Sequence, residues 1–292
     1  LQTNGSARTD TWTMTPVRLR RKNVAVIAIL AFCFYIFCLL VGISPTETIG
    51  EWVFTDDSYA KCNNDVKWKT GKSESGIALL GPEGSGVEWL RFFIEQTSGI
   101  YTGSANTEHA HYFKGDGITD PEKVLLVAGH SISKVPDFKK AIIVYREMKD
   151  CVRSHYTRLY GGRSPIEGTV TSYSGEKWKN FANMKSRVWA DNYRLYLGSK
   201  KSLLIVDYEE LTTLTGLVDQ MGKISKFLGI PLSEDILKCL VRHDDFPLKP
   251  KPLREGFQPY NLLPHREVEN LESLAQHVNK QIEKFSKAVG NS

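Results

Sequence analysis

Two periods of apolar spacing run along this chain. From residue 76 onward, the short apolar runs IALL (77–80), KVLLVA (123–128), AIIVYR (141–146) and SLLIVDY (202–208) are flanked by polar or turn residues and predict buried strands. Between and after them, VEWLRFFIEQTSG, MKDCVRSHYTRLYGG, EKWKNFANMKSRVWADNYRLYLG and LTGLVDQMGKISKFLG carry apolar residues at helical spacing, and several close on a glycine that suits a C-cap. Strand and helix in alternation predict an α/β fold, a mostly parallel sheet flanked by helices. Trp178 and Trp189 lie on the longest helical pattern and read as core residues.

A third pattern precedes these. Residues 24–43, VAVIAILAFCFYIFCLLVGI, hold no charge and have the length a helix needs to cross a bilayer. The span is too long for the apolar core of a cleaved signal peptide. Arg18, Arg20, Arg21 and Lys22 lie just before it, while Glu47 and Glu51 follow, so the positive-inside rule places the N-terminus in the cytosol. The expected layout is a cytosolic tail (1–23), a transmembrane signal-anchor helix (24–43), a polar stem (44–75) and a lumenal domain (76–292). The sequon at Asn4 then falls on the cytosolic side and is expected to be unused.

Composition narrows the function classes. A formal charge of +5 over 292 residues is mild and shows no concentrated basic stripe, which argues against a nucleic-acid partner. Of five cysteines, Cys33 and Cys38 fall within the span. Cys62, Cys151 and Cys239 would face an oxidising lumen, where an odd number leaves one unpaired or joined to another chain. Glu108, His109 and His111 lie close enough to suggest metal ligands, but no further ligand is evident, and a loop beside an acceptor cleft explains them equally well. No metal is expected.

The turn after the first strand run is richest in chemistry. In LGPEGSGVEW, Gly81 and Gly86 have the G-x-x-x-x-G spacing of a phosphate loop, whose glycines turn backbone N–H groups inward at the start of a helix. Val87 and Glu88 stand where a nucleotide-hydrolysing loop has lysine and a hydroxyl residue, which argues against ATP or GTP hydrolysis. Taken alone, the turn fits a phosphate site or a plain strand-to-helix connection. Later, Arg146 ends a strand run and Ser154 follows two helical turns on, so both can face one pocket.

These elements together resemble the sulfotransferase family that uses 3′-phosphoadenylyl sulfate, over residues 76 to about 285. Within it the chain most resembles the sulfotransferase domain of the WSC domain-containing proteins, through GSGVEWLRFFIEQTSGIYTGS, LLIVDYEEL and FLGIPLSEDIL; the cysteine-rich WSC module itself is absent. The resemblance implies a phosphate-binding loop formed by Gly84, Ser85, Gly86, Val87, Glu88 and Trp89, and 3′-phosphate contacts from Arg146 and Ser154. It implies a C-terminal nucleotide loop at Arg254 and Gly256, and a catalytic base at His130. The family's lysine and threonine ahead of that histidine are here Ala128 and Gly129. Glu83 and Glu88 also depart from the pattern, and Arg91 is the candidate to neutralise the carboxylate at 88.

The implied protein is a membrane-anchored, Golgi-resident enzyme that transfers a sulfuryl group to a hydroxyl of a glycan. The departures leave a second reading open, a catalytically impaired lumenal binding or scaffolding protein on the same fold.

Overall fold

The computed structural model describes residues 62, 65–70, 76–107, 112–160, 173, 175–242 and 259–290. Its centre is a five-stranded, wholly parallel sheet formed by β1 (Gly76–Leu80), β2 (Gly103–Ser104), β3 (Val127–Gly129), β4 (Phe138–Tyr145) and β5 (Ser202–Asp207), in the order β2-β3-β1-β4-β5. Around it lie α1 (Val87–Ser98), α2 (Met148–Tyr160), α3 (Gly175–Leu197), the single turn α4 (Tyr208–Leu211), α5 (Leu214–Leu228), α6 (Glu234–Arg242) and α7 (His265–Gly290). The α/β class and the parallel sheet flanked by helices are as the sequence predicts.

Strand periodicity explains the layering. Successive strand side chains point to opposite faces, and here Ala78, Leu80, Ala141, Ile143 and Leu203 pack into one apolar cluster with residues of α2, α3 and α7. Leu79, Ile142, Val144 and Val206 pack into the other, with residues of α1, α5 and α6. A sheet covered on both faces is what apolar strand runs without polar alternation require. Trp178 and Trp189 are buried in the first cluster, so the core reading of both holds.

The order of strands fixes where a ligand site belongs. The chain runs from β1 to β3 on one side and then crosses to β4 on the other, so the C-terminal ends of these three strands meet at a topological switch point, the crevice where open α/β sheets bind ligands.

Several predicted boundaries shift. KVLLVA is strand only from Val127; its start coils because the amides of Lys123 and Val124 both donate to the carbonyl of Asp120. Two-residue β2 and the 26-residue α7 were not among the predicted elements. Part of the predicted stem belongs to the packed domain. Lys67 pairs with Ile100, the amide of Lys69 donates to the carbonyl of Lys123, and Cys62 is disulfide-bonded to Cys239 in α6. The unpaired thiol is therefore that of Cys151, which burial pushes up to about 12, leaving it neutral and unreactive. Among the described residues no helix is long and apolar enough to cross a membrane; the predicted span at 24–43 lies outside them.

Candidate functional site

The cleft lies at the switch point. Three chain segments reach it from the ends of adjacent strands: residues 81–86 after β1, His130 after β3 and Arg146 after β4. Gly84, Gly86, Val87, Glu88, Trp89, His130, Arg146 and Ser154 line it together with His155, Arg158 and Tyr208. Residues far apart in the chain, from Gly84 to Tyr208, are thus brought to one place.

The loop's glycines are required by packing as well as by conformation. Gly84 and Gly86 have φ of 87° and 95°, a region that side chains disfavour. A Cβ on Gly84 would lie 2.2 Å from the carbonyl oxygen of Cys151, and one on Gly86 would lie 2.5 Å from the ring of Tyr208. The loop therefore rests directly on α2 and on the Tyr208 ring. No side chain caps α1, so the N–H groups of its first turn remain directed at the cleft. The hydroxyl of Ser85 is an exception among the loop residues: it is buried beneath the loop without a hydrogen-bond partner among the described residues, and its amide closes a turn onto the carbonyl of Pro82. Side-chain contact from Ser85 to a ligand in the cleft is thus not what the geometry provides.

Arg146 is held on every side but one. Its amide donates to the hydroxyl of Tyr193 at 3.2 Å, its carbonyl accepts from the indole of Trp189 at 3.1 Å, and Nη1 donates to the carbonyl of Gly84 at 2.9 Å. The guanidinium stacks 4.0 Å above the Tyr208 ring. Nε, enclosed by the protein, has no hydrogen-bond partner among the described residues; the nearest carboxylate oxygen, on Glu209, is 3.9 Å away. An enclosed guanidinium N–H left unpaired is costly unless a ligand oxygen meets it.

His130 is oriented by its backbone and by the loop. Its carbonyl accepts from Asn192 at 3.1 Å and Tyr196 at 3.0 Å, both on α3. Nδ1 lies 3.0 Å from the carbonyl oxygen of Gly81, an acceptor only, so the proton belongs on Nδ1 and the lone pair on Nε2. Nε2 lies 4.0 Å from Oε1 of Glu88. Glu88 in turn is 3.3 Å from Nη1 of the fully buried Arg91, which also meets Asp116 at 2.5 Å and both oxygens of Thr102 at 2.8 and 2.9 Å. Arg91 does pair with the carboxylate at 88, as the sequence suggests, but it shares its single charge with the closer Asp116. Ala128 is buried in an apolar cluster with Leu79 and Ile142, so a longer side chain there would enter the core and not the cleft.

The second loop glutamate is also paired. Oε2 of Glu83 lies 2.6 Å from Nζ of Lys185 on α3 and 3.1 Å from Nδ1 of His155 on α2. Burial alone would raise the Glu83 carboxyl, but the Lys185 hydrogen bond and the neighbouring His155 bring it below its usual range. Burial pushes His155 down to about 4, against the pull of Glu83, so the imidazole is neutral near pH 7. His155, Arg158, Lys185 and Tyr208 were not singled out from the sequence; Tyr208 alone carried a local signal, as the last residue of a predicted strand run. Arg254, Gly256, Glu108, His109 and His111 lie outside the described residues. Among the described residues no group of three or more His, Cys, Asp and Glu side chains is placed to hold a metal.

Comparison with known proteins bears on this geometry. A family model described as the sulfotransferase domain matches residues 130–249, a stretch that begins at His130 and contains Arg146 and Ser154. A WSCD family member of Drosophila melanogaster, CG9164, is 27% identical over 228 residues, covering 74% of this chain and 70% of that protein. A second, GA21586 of Drosophila pseudoobscura pseudoobscura, is 28% identical over 208 residues, covering 68% of this chain and 64% of that protein. Among solved structures, mouse sulfotransferase SULT7A1 complexed with PAP is matched at 18% identity and a TM-score of 0.48, covering 76% of this chain and 90% of that one.

Proposed function

We propose that this chain, which carries a sulfotransferase domain and is similar to WSCD family members, binds 3′-phosphoadenylyl sulfate in the cleft between the ends of β1, β3 and β4 and directs its sulfuryl group to an acceptor hydroxyl. The observation that carries this reading is Arg146: a guanidinium fixed by the Gly84 carbonyl and the Tyr208 ring, on a side chain that lines the cleft together with Ser154. A dianionic phosphate complements it in two ways, with charge and with acceptor oxygens. The glycine cradle and the uncapped start of α1 suit a second phosphate group.

The nucleotide supplies an activated sulfuryl group; the chain supplies position and proton transfer. Nε2 of His130, with Nδ1–H committed to Gly81, is the atom that takes the proton from the acceptor hydroxyl. Arg91, shared with Asp116, offsets part of the charge of Glu88, the carboxylate 4.0 Å from this base. The acceptor we propose is a glycan, and the setting a Golgi lumen reached through the uncharged span at residues 24–43. Protease added to intact microsomes is then expected to remove only the N-terminal tail, and digestion of the remainder would refute that topology.

A specific feature favours a second reading. No lysine stands at position 128, and the apolar surroundings of Ala128 leave no room for one, which suits a fold that serves binding without catalysis. Assaying sulfate transfer with the full chain and a panel of glycan acceptors separates the two: nucleotide binding without transfer to any of them would support the binding protein.

A further inference from the structure

The positively charged group that would offset charge on the departing phosphate has no place on β3, because Ala128 faces the core. It must come from another element. Arg91 is fully enclosed and committed to Glu88, Asp116 and Thr102, and Arg146 is committed to Gly84 and stacked on Tyr208. His155 lines the cleft but is neutral near pH 7.

Arg158 also lines the cleft, from α2; Lys185 differs from all of these in reaching the phosphate loop itself. It projects from α3 to the phosphate loop itself, where its Nζ lies 2.6 Å from the Glu83 carboxylate, beside the loop's first strained glycine. The same oxygen of Glu83 lies 3.1 Å from the imidazole of His155, so the ammonium is one carboxylate away from a wall of the cleft. α3 is the element that also fixes the other parts of the site, through Trp189 to Arg146 and through Asn192 and Tyr196 to His130. A lysine stem is flexible and its ammonium is a mobile point charge, so it can exchange one anion for another without moving the helix.

We propose that Lys185 is the cation that meets the 5′-phosphosulfate, and that Glu83 is an internal anion that holds this ammonium until the nucleotide displaces it. In the transfer step the bond between sulfur and the bridging phosphate oxygen breaks as the acceptor oxygen bonds to sulfur. The acceptor proton passes to Nε2 of His130, and Lys185 offsets the charge left on the phosphate. Nothing is oxidised or reduced. The proposal rests on the reading of the cleft as a nucleotide site.

Opposite responses of the two partners test it. Adenosine 3′,5′-bisphosphate is titrated calorimetrically into the full chain in detergent, as wild type, Lys185→Met and Glu83→Gln, with thermal melting of each as a check on folding. Lys185→Met is expected to weaken binding by about tenfold to a hundredfold, the worth of a charge-assisted contact. Glu83→Gln, which removes the competing anion, is expected to tighten it by about threefold to tenfold. Affinity for adenosine 3′-monophosphate, which lacks the 5′-group, is expected to be unchanged in Lys185→Met. If both variants weaken binding alike, or if Lys185→Met binds as wild type does, the pair is structural and the proposal falls while the cleft reading stands. Wild-type protein that binds neither nucleotide overturns both.

Discussion

Arg91 lies within 3.3 Å of Glu88, one turn back on α1, and the contact explains how a phosphate loop tolerates a carboxylate at its helix start. The guanidinium is fully buried and bridges three elements: α1 through Glu88, the connection to β2 through Thr102, and the following loop through Asp116. Thr102 is tied back to α1 in turn, since its amide and hydroxyl both donate to Glu95, at 2.8 and 2.6 Å. Burial raises the Glu95 carboxyl despite these hydrogen bonds.

Removing Arg91 would leave the carboxylate of Asp116, only 1% exposed, without this counter-ion. Arg91→Ala is therefore expected to destabilise the protein by about 3 to 5 kcal/mol, as breaking one side of a buried pair does. Urea denaturation monitored by tryptophan fluorescence measures this, and a loss under about 1 kcal/mol would show that the pair contributes no more than a surface one does.

Gly86, like Gly84, is a loop position with little freedom. An alanine there combines a φ of 95° with a Cβ 2.5 Å from the Tyr208 ring. Gly86→Ala is expected to cost about 1 to 3 kcal/mol in stability and to disturb nucleotide binding. Wild-type melting and affinity in this variant would mean that the loop relaxes freely and is not a rigid cradle.

The burial of His155, against the opposing pull of Glu83, gives a pH dependence with a definite sign. The folded protein holds His155 at about 4 whereas an unfolded histidine titrates near 6.5, so between these values the unfolded chain binds more protons. Stability should therefore fall as pH drops from 6.5 to 4, by up to about 3 kcal/mol from this group. Glu83, held below its usual range, acts in the same direction: its contribution is present above the unfolded value and is lost as pH falls. Denaturation at pH 7 and pH 4.5 for wild type and His155→Gln measures the effect, and equal losses in the two proteins would remove His155 as a source.

The disulfide between Cys62 and Cys239 joins residues 177 apart and ties the segment ahead of β1 to α6. Cys62→Ser with Cys239→Ser is expected to lose about 2 to 5 kcal/mol through the larger conformational freedom of the unfolded chain. Non-reducing peptide mapping that found Cys151 in the bridge would contradict the pairing, since its sulfur is buried between α2 and the sheet.

How far the sequence reaches depends on the range of each signal. Four of the five strands announce themselves because each is a short apolar run, and Arg146 and Ser154 because a strand followed by a helix fixes their relative direction. Two-residue β2 has too few positions to show a period; it is held by the pairing of Gly103 and Ser104 with Val127 and Ala128. Contacts across long separations stay hidden for the same reason: Glu83 and Lys185 are 102 residues apart, and neither local sequence names the other. The burial of the Ser85 hydroxyl under the loop is likewise a packing outcome, invisible in a motif that reads only its spacing.

The most direct measurement is calorimetric titration of adenosine 3′,5′-bisphosphate into the full chain and its Arg146→Ala variant. If the cleft is a nucleotide site built around the guanidinium of Arg146, wild type binds saturably with one site, and the variant loses about 1.5 to 3 kcal/mol of binding free energy, with Ser154→Ala losing less. Absence of binding to wild type at millimolar ligand, or equal affinity in wild type and Arg146→Ala, would contradict the account.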